Sequence, residues 1–262
     1  MKIRPEDFFD LLTDNNINFF AGVPDSLLKE FCLCVDSEVK SINHIITANE
    51  GNAIALASGY HLGTGSVPLV YMQNSGLGNA INPLLSLSDT DVYSIPILLL
   101  IGWRGEPGVF DEPQHIKQGK IQIELLNAMQ IPYVNISKNS DDLNKKISDI
   151  IEICVREKKP VAIVVSKGTF EKFNKTANKV DENLMSREES LEIILDNLPE
   201  NSIVVSTTGK TSREIYELRE KRNKSHKQDF LTVGSMGHCS SIALGLAISK
   251  PNCKVFCIDG DG

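Results

Sequence analysis

The sequence is poor in the features that would place it in a membrane or on nucleic acid. Its 27 lysines and arginines are outnumbered by 34 aspartates and glutamates, for a net charge of −7. That balance argues against a general binder of nucleic acid or anionic membrane, while leaving room for a local basic pocket that takes a small anion. No apolar run approaches the length needed to span a bilayer; residues 95–101, Ile-Pro-Ile-Leu-Leu-Leu-Ile, suit a buried parallel strand instead. The first residues, Met1-Lys2-Ile3-Arg4-Pro5-Glu6-Asp7, hold no apolar signal core, so a cytoplasmic protein is expected. Cysteine is sparse: Cys32, Cys34, Cys154, Cys239, Cys253 and Cys257 match no zinc-binding spacing, and most lie in apolar segments. They read as reduced, structural thiols. What remains is an ordinary soluble composition, 41% hydrophobic over 262 residues, enough for one large or two modest domains.

The stretch 44–83 organises the rest. An apolar run ending at Ile46 gives way to Thr47, Asn49 can cap a following helix, and that helix carries Ala53, Ala55, Ala57 and Gly59, so another backbone can approach it. A second apolar run, Val67 to Met72, breaks into Asn74-Ser75-Gly76-Leu77-Gly78-Asn79. Both strands thus end in polar or glycine-rich turns that open helices, the place where open α/β sheets bind ligands. Asn74 and Gly76 are candidate ligand contacts on that ground. Glu50 stands in the first turn of the first helix, where the helix dipole alone would favour an acid.

Strand and helix alternate along the chain. A strand over 18–23 ends at Pro24-Asp25-Ser26, where Asp25 can cap the next helix or face a ligand. After 95–101 comes a long polar segment, 102–118, with Trp103, Arg104, Glu106, Asp111, Glu112, Gln114 and His115. Loops of this length are commonly functional. Arg104 can either hold a phosphoryl-type anion with its planar fork or pair with Glu106 or Asp111. A helix over 121–129, a strand over 133–136, a helix through 141–157 and a strand over 161–165 complete a doubly wound parallel α/β sheet. Residues 1–170 are expected to form the first domain, 171–185 a polar linker, and 186–262 the beginning of a second βα series.

That second series opens with a capping box at Ser186 and Glu189. A strand over 202–206 runs into Thr207-Thr208-Gly209-Lys210-Thr211. This resembles the end of a P-loop, but Val204 stands where the first glycine is required. Thr208, Gly209 and Thr211 can still hold phosphate oxygens at a helix start. The next strand ends in Gly234-Ser235-Met236, and the last in Gly260-Asp261-Gly262, a turn whose carboxylate could share Mg²⁺ with a phosphate.

Taken together, the stretch around Glu50, the run Ile101-Gly102-Trp103-Arg104-Gly105-Glu106-Pro107-Gly108 and the run Asp111-Glu112-Pro113-Gln114-His115 resemble the thiamine-diphosphate enzymes, and among them the phosphonopyruvate decarboxylases. The resemblance covers essentially the whole chain. It implies two doubly wound parallel-sheet domains of the thiamine-diphosphate-binding type, the second incomplete, and decarboxylation of 3-phosphonopyruvate to phosphonoacetaldehyde. Sulfopyruvate decarboxylation is the alternative, as is an inactive binding or assembly module. It implies thiamine diphosphate and Mg²⁺ as cofactors and a homo-oligomer with active sites between subunits. Glu50 would pair with the aminopyrimidine ring, and Asp25 and His115 would handle protons at the reacting carbons. Arg104 would meet the phosphonate, and Met236 would wedge the bent cofactor. Gly260, Asp261 and Gly262 would open the metal–diphosphate motif, with Asp261 as metal ligand. The asparagine closing that motif lies beyond Gly262, so the resemblance also implies a truncated chain.

Overall fold

The structure is a computed structural model that describes residues 2–174 and 184–260. The chain divides into two compact units, Met1–Thr176 and Ala177–Gly262. Most of the expected linker, and Asp261 with Gly262, lie outside the described residues.

The first unit is a six-stranded sheet built from β1 (Phe20–Gly22), β2 (His44–Ile46), β3 (Leu69–Gln73), β4 (Leu98–Gly102), β5 (Tyr133–Ile136) and β6 (Val161–Val165), in the order β2-β1-β3-β4-β6-β5 with every pair parallel. Side chains alternate between faces along a strand, and in β4 this sends Leu98 and Leu100 into one core and Leu99 and Ile101 into the other. The first core is closed by α1 (Pro5–Asp14), α2 (Lys29–Glu38) and α6 (Leu143–Glu157), which contribute Phe8, Phe31 and Ile147. The second is closed by α3 (Glu50–Thr64), α4 (Leu77–Pro83) and α5 (Pro113–Ala128), through Ala53, Ile54, Leu77 and Leu126. Burial on both faces is why the central strands read as unbroken apolar runs. Phe170 packs into the first core, and the Phe173 N–H donates to Glu30 Oε2 at 2.8 Å, so the chain stays on this unit beyond its last strand.

In the order β2-β1-β3-β4, the connection after β1 runs to one side and the connection after β3 runs to the other. That opens a crevice at the carboxyl ends of β1 and β3.

Two expectations change. The polar segment 102–118 is irregular only to Glu112, because Pro113 starts α5, well before the apolar periodicity at Ile121. Proline at a first helical position has its φ preset and no N–H to leave unpaired. The close approach to α3 occurs at Gly51, where a Cβ would stand 2.9 Å from Asn79 O, and not at Gly59, which faces open space.

The second unit starts with α7 (Arg187–Asp196), whose capping box at Ser186 and Glu189 is formed. It continues with β7 (Ile203–Ser206), α8 (Lys210–Lys221), β8 (Asp229–Leu231), α9 (Cys239–Ser249) and β9 (Val255–Ile258). The strands are parallel in the order β8-β7-β9, so their carboxyl ends share one edge.

Segment 103–112 is pressed against α5 at one point. A Cβ on Gly119 would lie 1.8 Å from Gly105 O, and Trp103 Nε1 donates to Gly119 O at 2.9 Å. Backbone cannot swing aside as a side-chain tip can. Gly119→Ala should therefore cost about 1–3 kcal/mol and expose 103–112 to protease, read by thermal denaturation and limited proteolysis. An unchanged melting temperature and cleavage pattern would refute the close packing.

Candidate active site

The carboxyl ends of β1 to β4 gather a connected set of polar side chains. Glu50 begins α3 behind Asn49, whose Oδ1 accepts from the Asn52 N–H at 2.9 Å and caps the helix. Although it sits in a first turn, Glu50 points inward and is only 6% exposed. Its Oε2 accepts from Asn79 Nδ2 at 2.8 Å, while Oε1 has no donor among the described residues. The carboxylate fits because the opposite residue is glycine: a Cβ on Gly76 would fall 2.0 Å from Oε1.

Asp25 lies at the crevice itself, 4% exposed. Its Oδ1 accepts from Gln73 Nε2 at 2.8 Å and its Oδ2 from the Leu27 N–H at 3.0 Å. Since α2 begins only at Lys29, Asp25 closes an Asx turn before the helix instead of capping it. Glycine again makes the room, as a Cβ on Gly102 would come within 2.1 Å of Oδ2. Burial raises the Asp25 pKa above the ordinary carboxylate value, against the opposing pull of Gln73, the Leu27 N–H and Arg104.

Asn74 is buried and spends its amide on the main chain of Arg104: Nδ2 donates to Arg104 O at 2.8 Å, and Oδ1 accepts from the Arg104 N–H at 3.1 Å. The Arg104 guanidinium is engaged as well. Nε donates to Asp111 Oδ2 at 2.7 Å, Nη2 to Asp111 Oδ1, and Nη1 to Ser26 Oγ at 2.9 Å. Of the two anionic partners considered from the sequence, Asp111 takes the arginine, while Glu106 accepts from Ser166 Oγ at 3.1 Å. Asp111 also accepts from the Gly105 and Glu112 N–H groups. The arginine, above all, holds its carboxyl well below the usual range. His115, in the first turn of α5, is half-buried, and its buried Nδ1 lacks a partner among the described residues. Desolvation, then the nearby Arg104 charge, lower its pKa and favour the neutral ring.

Sequence reasoning missed Gln73, Asn79 and Ser26 as members of this set. Each is an ordinary polar residue in sequence, and its role comes from a partner on another element: Gln73 on Asp25, Asn79 on Glu50 and Ser26 on Arg104. Asp111 was visible within Asp111-Glu112-Pro113-Gln114-His115, but its grip on the Gly105 and Glu112 amides was not.

In the second unit Thr208 and Gly209 form the turn after β7, with Gly209 at φ +88° and Thr211 in the first turn of α8. Gly234 and Ser235 follow β8, with Ser235 at φ +61°. Gly260 follows β9, and a Cβ added to it would lie 3.5 Å from Thr207 Cγ2. These turns border one sheet edge, so backbone amides at a helix start stand beside flexible glycines, a setting for phosphate. Met236, the expected wedge, is 42% exposed in this unit.

Residues 5–130 match the family described as thiamine pyrophosphate enzyme, N-terminal TPP binding domain. The phosphonopyruvate decarboxylase of Streptomyces viridochromogenes is 34% identical over 266 residues, covering 96% of this chain and 64% of that protein. The sulfopyruvate decarboxylase subunit alpha of Methanococcus maripaludis is 35% identical over 160 residues, 61% of this chain and 92% of the subunit. The chain therefore spans just under two thirds of the phosphonopyruvate relative, and nearly all of the sulfopyruvate subunit aligns with it. Among solved structures, benzoylformate decarboxylase from Polynucleobacter necessarius superimposes with a TM-score of 0.51 at 17% identity, over 81% of this chain and 40% of that one. At that identity the likeness is one of fold.

The two perturbed carboxylates give opposite pH behaviour. Asp25 has a raised pKa, so its ionisation opposes folding once pH passes the ordinary carboxylate value of about 3.9. Asp111 has a depressed pKa, so its contribution is present above that value and disappears as pH falls below it. Asp25→Asn should raise the melting temperature at pH 8 more than at pH 4. Asp111→Asn should cost about 3 kcal/mol at pH 7, where Arg104 would be left largely buried and unpaired, and less as pH falls below 4. Parallel melting curves across this range for either variant would refute the assignment.

Proposed function

The chain belongs to the thiamine pyrophosphate enzyme family, and from that premise we propose that it forms a decarboxylase of a small anionic 2-oxo acid, 3-phosphonopyruvate, yielding phosphonoacetaldehyde and CO₂. The observation that carries the reading is Glu50: a buried carboxylate at a strand end, with one oxygen free of donors among the described residues and a glycine opposite it. Such a group suits a hydrogen-bonding ring nitrogen that arrives with a ligand. When bound, thiamine diphosphate supplies a nucleophilic carbon and an electron sink for the bond to the departing CO₂.

The chain's own residues divide the remaining work. Glu50 would hold the aminopyrimidine ring, Gly76 leaves room for the Glu50 carboxylate, and Asn74 fixes the Arg104 main chain beside the crevice. Asp25, whose burial favours the protonated form, can donate to the substrate carbonyl oxygen. His115, favoured as the neutral ring, can take up a proton or return one to the carbon that has lost CO₂. Arg104 keeps N–H groups beyond those given to Asp111 and Ser26, and these can meet a phosphonate oxygen. In the second unit the amides of Thr208, Gly209, Thr211, Gly234, Ser235 and Gly260 would hold the diphosphate. Mg²⁺ would be held by the Gly260-Asp261-Gly262 turn, and Met236 would support the cofactor's bend. The reading includes a homo-oligomer in which Glu50 of one subunit serves cofactor held by another.

A second reading is sulfopyruvate decarboxylation, favoured by the near-complete alignment of a sulfopyruvate decarboxylase alpha subunit with this chain. Both substrates present a strong oxyanion separated from the carboxylate by two carbons, the keto carbon and a methylene, so the same guanidinium could serve either.

The test is steady-state turnover by the protein carrying these residues, with saturating thiamine diphosphate and Mg²⁺, on each acid in turn. Phosphonopyruvate should have the higher kcat/KM. Glu50→Gln should lower kcat by at least about 10²-fold while leaving circular dichroism and melting unchanged. A preference for sulfopyruvate would replace the first reading with the second. Cofactor binding without turnover of either acid would overturn both in favour of a binding module.

A further inference from the structure

A cluster in the second unit takes no part in the proposed reaction. Cys239 is the first residue of α9, Cys257 lies in β9, and Asp259 follows that strand. Eighteen residues separate the two cysteines in sequence, but their Sγ atoms stand 3.4 Å apart. The fold brings them together. Cys257 pairs in register with Val205 of β7, and Val205 packs with Cys239 and Ala243 in the small core under α9. The two thiols and an Asp259 carboxylate oxygen all lie within 4.8 Å of one another. Cys239 is buried, whereas Cys257 and Asp259 are exposed, so the cluster has a dry floor and a wet side open to entry.

The separation of the sulfurs decides between two fates. A disulfide would require about 2.05 Å, whereas two thiolates on one tetrahedral Zn²⁺ stand about 3.8 Å apart, from Zn–S distances near 2.3 Å. The observed spacing needs a change of a few tenths of an ångström for the metal and well over 1 Å for the covalent bond. Two sulfurs and one carboxylate also form a soft donor set. Mg²⁺ prefers oxygen ligands in an octahedron, while thiolates select Zn²⁺ and its analogues.

We infer that Cys239, Cys257 and Asp259 bind one thiophilic divalent cation, Zn²⁺ or its probes Co²⁺ and Cd²⁺, with a fourth position left to water. Binding exchanges protons for metal. The two S–H bonds break, two M–S bonds and one M–O bond form, and two protons pass to solvent with no change of oxidation state. The cation ties the N-terminus of α9 to the carboxyl end of β9. Both flank the edge at which the turns after β7, β8 and β9 lie, and its two sulfur ligands distinguish the site chemically from one that holds Mg²⁺ through oxygen. The inference does not rest on the decarboxylase reading.

The experiment is titration of the reduced protein with CoCl₂ under a non-thiol reductant and excess Mg²⁺. The expected result is one Co²⁺ per chain, with the visible ligand-field bands of a tetrahedral site and a near-ultraviolet thiolate-to-cobalt charge-transfer band, both abolished by one equivalent of Zn²⁺. Cys257→Ser and Asp259→Asn alter exposed positions, so the fold is expected to survive, which circular dichroism checks. Each should weaken Co²⁺ binding by about tenfold or more, the loss already typical of removing a supporting group, and Cys257→Ser should remove most of the charge-transfer intensity. Cys253→Ser should change neither. Absence of the charge-transfer band, full affinity in the Cys257→Ser protein, or a Cys239–Cys257 disulfide that forms in the presence of Zn²⁺ would each overturn the site.

Discussion

A carboxylate can be buried at the end of a parallel strand only if the neighbouring backbone carries no side chain against it. This constraint shapes the first unit's strand ends. Gly76 admits Glu50 and Gly102 admits Asp25; an added methyl carbon would stand only 2.0 Å and 2.1 Å, respectively, from a carboxylate oxygen. Gly105 and Gly119 act in the same way farther out, where 103–112 meets α5 backbone to backbone. Without those four glycines the acids would be pushed toward solvent, and the segment carrying Arg104 would lift from the helix that carries His115.

Within that frame three carboxylates are given different electrostatic surroundings. Asp111 is satisfied by an arginine and two main-chain amides and is held ionised. Asp25 accepts two hydrogen bonds, but burial outweighs them and favours its proton. Glu50 has an amide on one oxygen and, among the described residues, none on the other. A fixed anion, a proton-favouring acid and a half-satisfied carboxylate are distinct tools. They stand side by side because β1, β2, β3 and β4 are parallel and end on the same edge.

The second unit repeats the principle on a smaller scale, with three parallel strands and their turns along one edge. Its turns are built from hydroxyls and positive-φ residues such as Gly209 and Ser235 instead of buried acids. The thiol pair beneath α9 is a different kind of site, set by the packing of helix on strand and chemically suited to a soft ion.

Much of this architecture could be read before any coordinates, because the strands of a parallel sheet buried on both faces announce themselves as short apolar runs, and the helices between them carry recognisable starts such as Asn49 and Ser186. Glu50, Asp25 and Arg104 were visible as candidates for the same reason: strand ends are where such residues matter. Other things followed from neighbours far away in sequence. That segment 103–112 lies flat on α5 depends on Gly119 packing against Gly105, two glycines fourteen positions apart. That Arg104 is paired, that Asn74 spends its amide on main chain, and that Gln73 holds Asp25 depend on which strands lie side by side. Six cysteines with no metal-binding spacing read as inert thiols; two of them meet only because the start of α9 packs beside β9. The sequence by itself determined the elements, since local pattern and turn chemistry are written in neighbouring residues. The tertiary structure alone decided which polar groups face one another, because hydrogen bonds and ligand sets are made between strand ends that the chain order keeps apart.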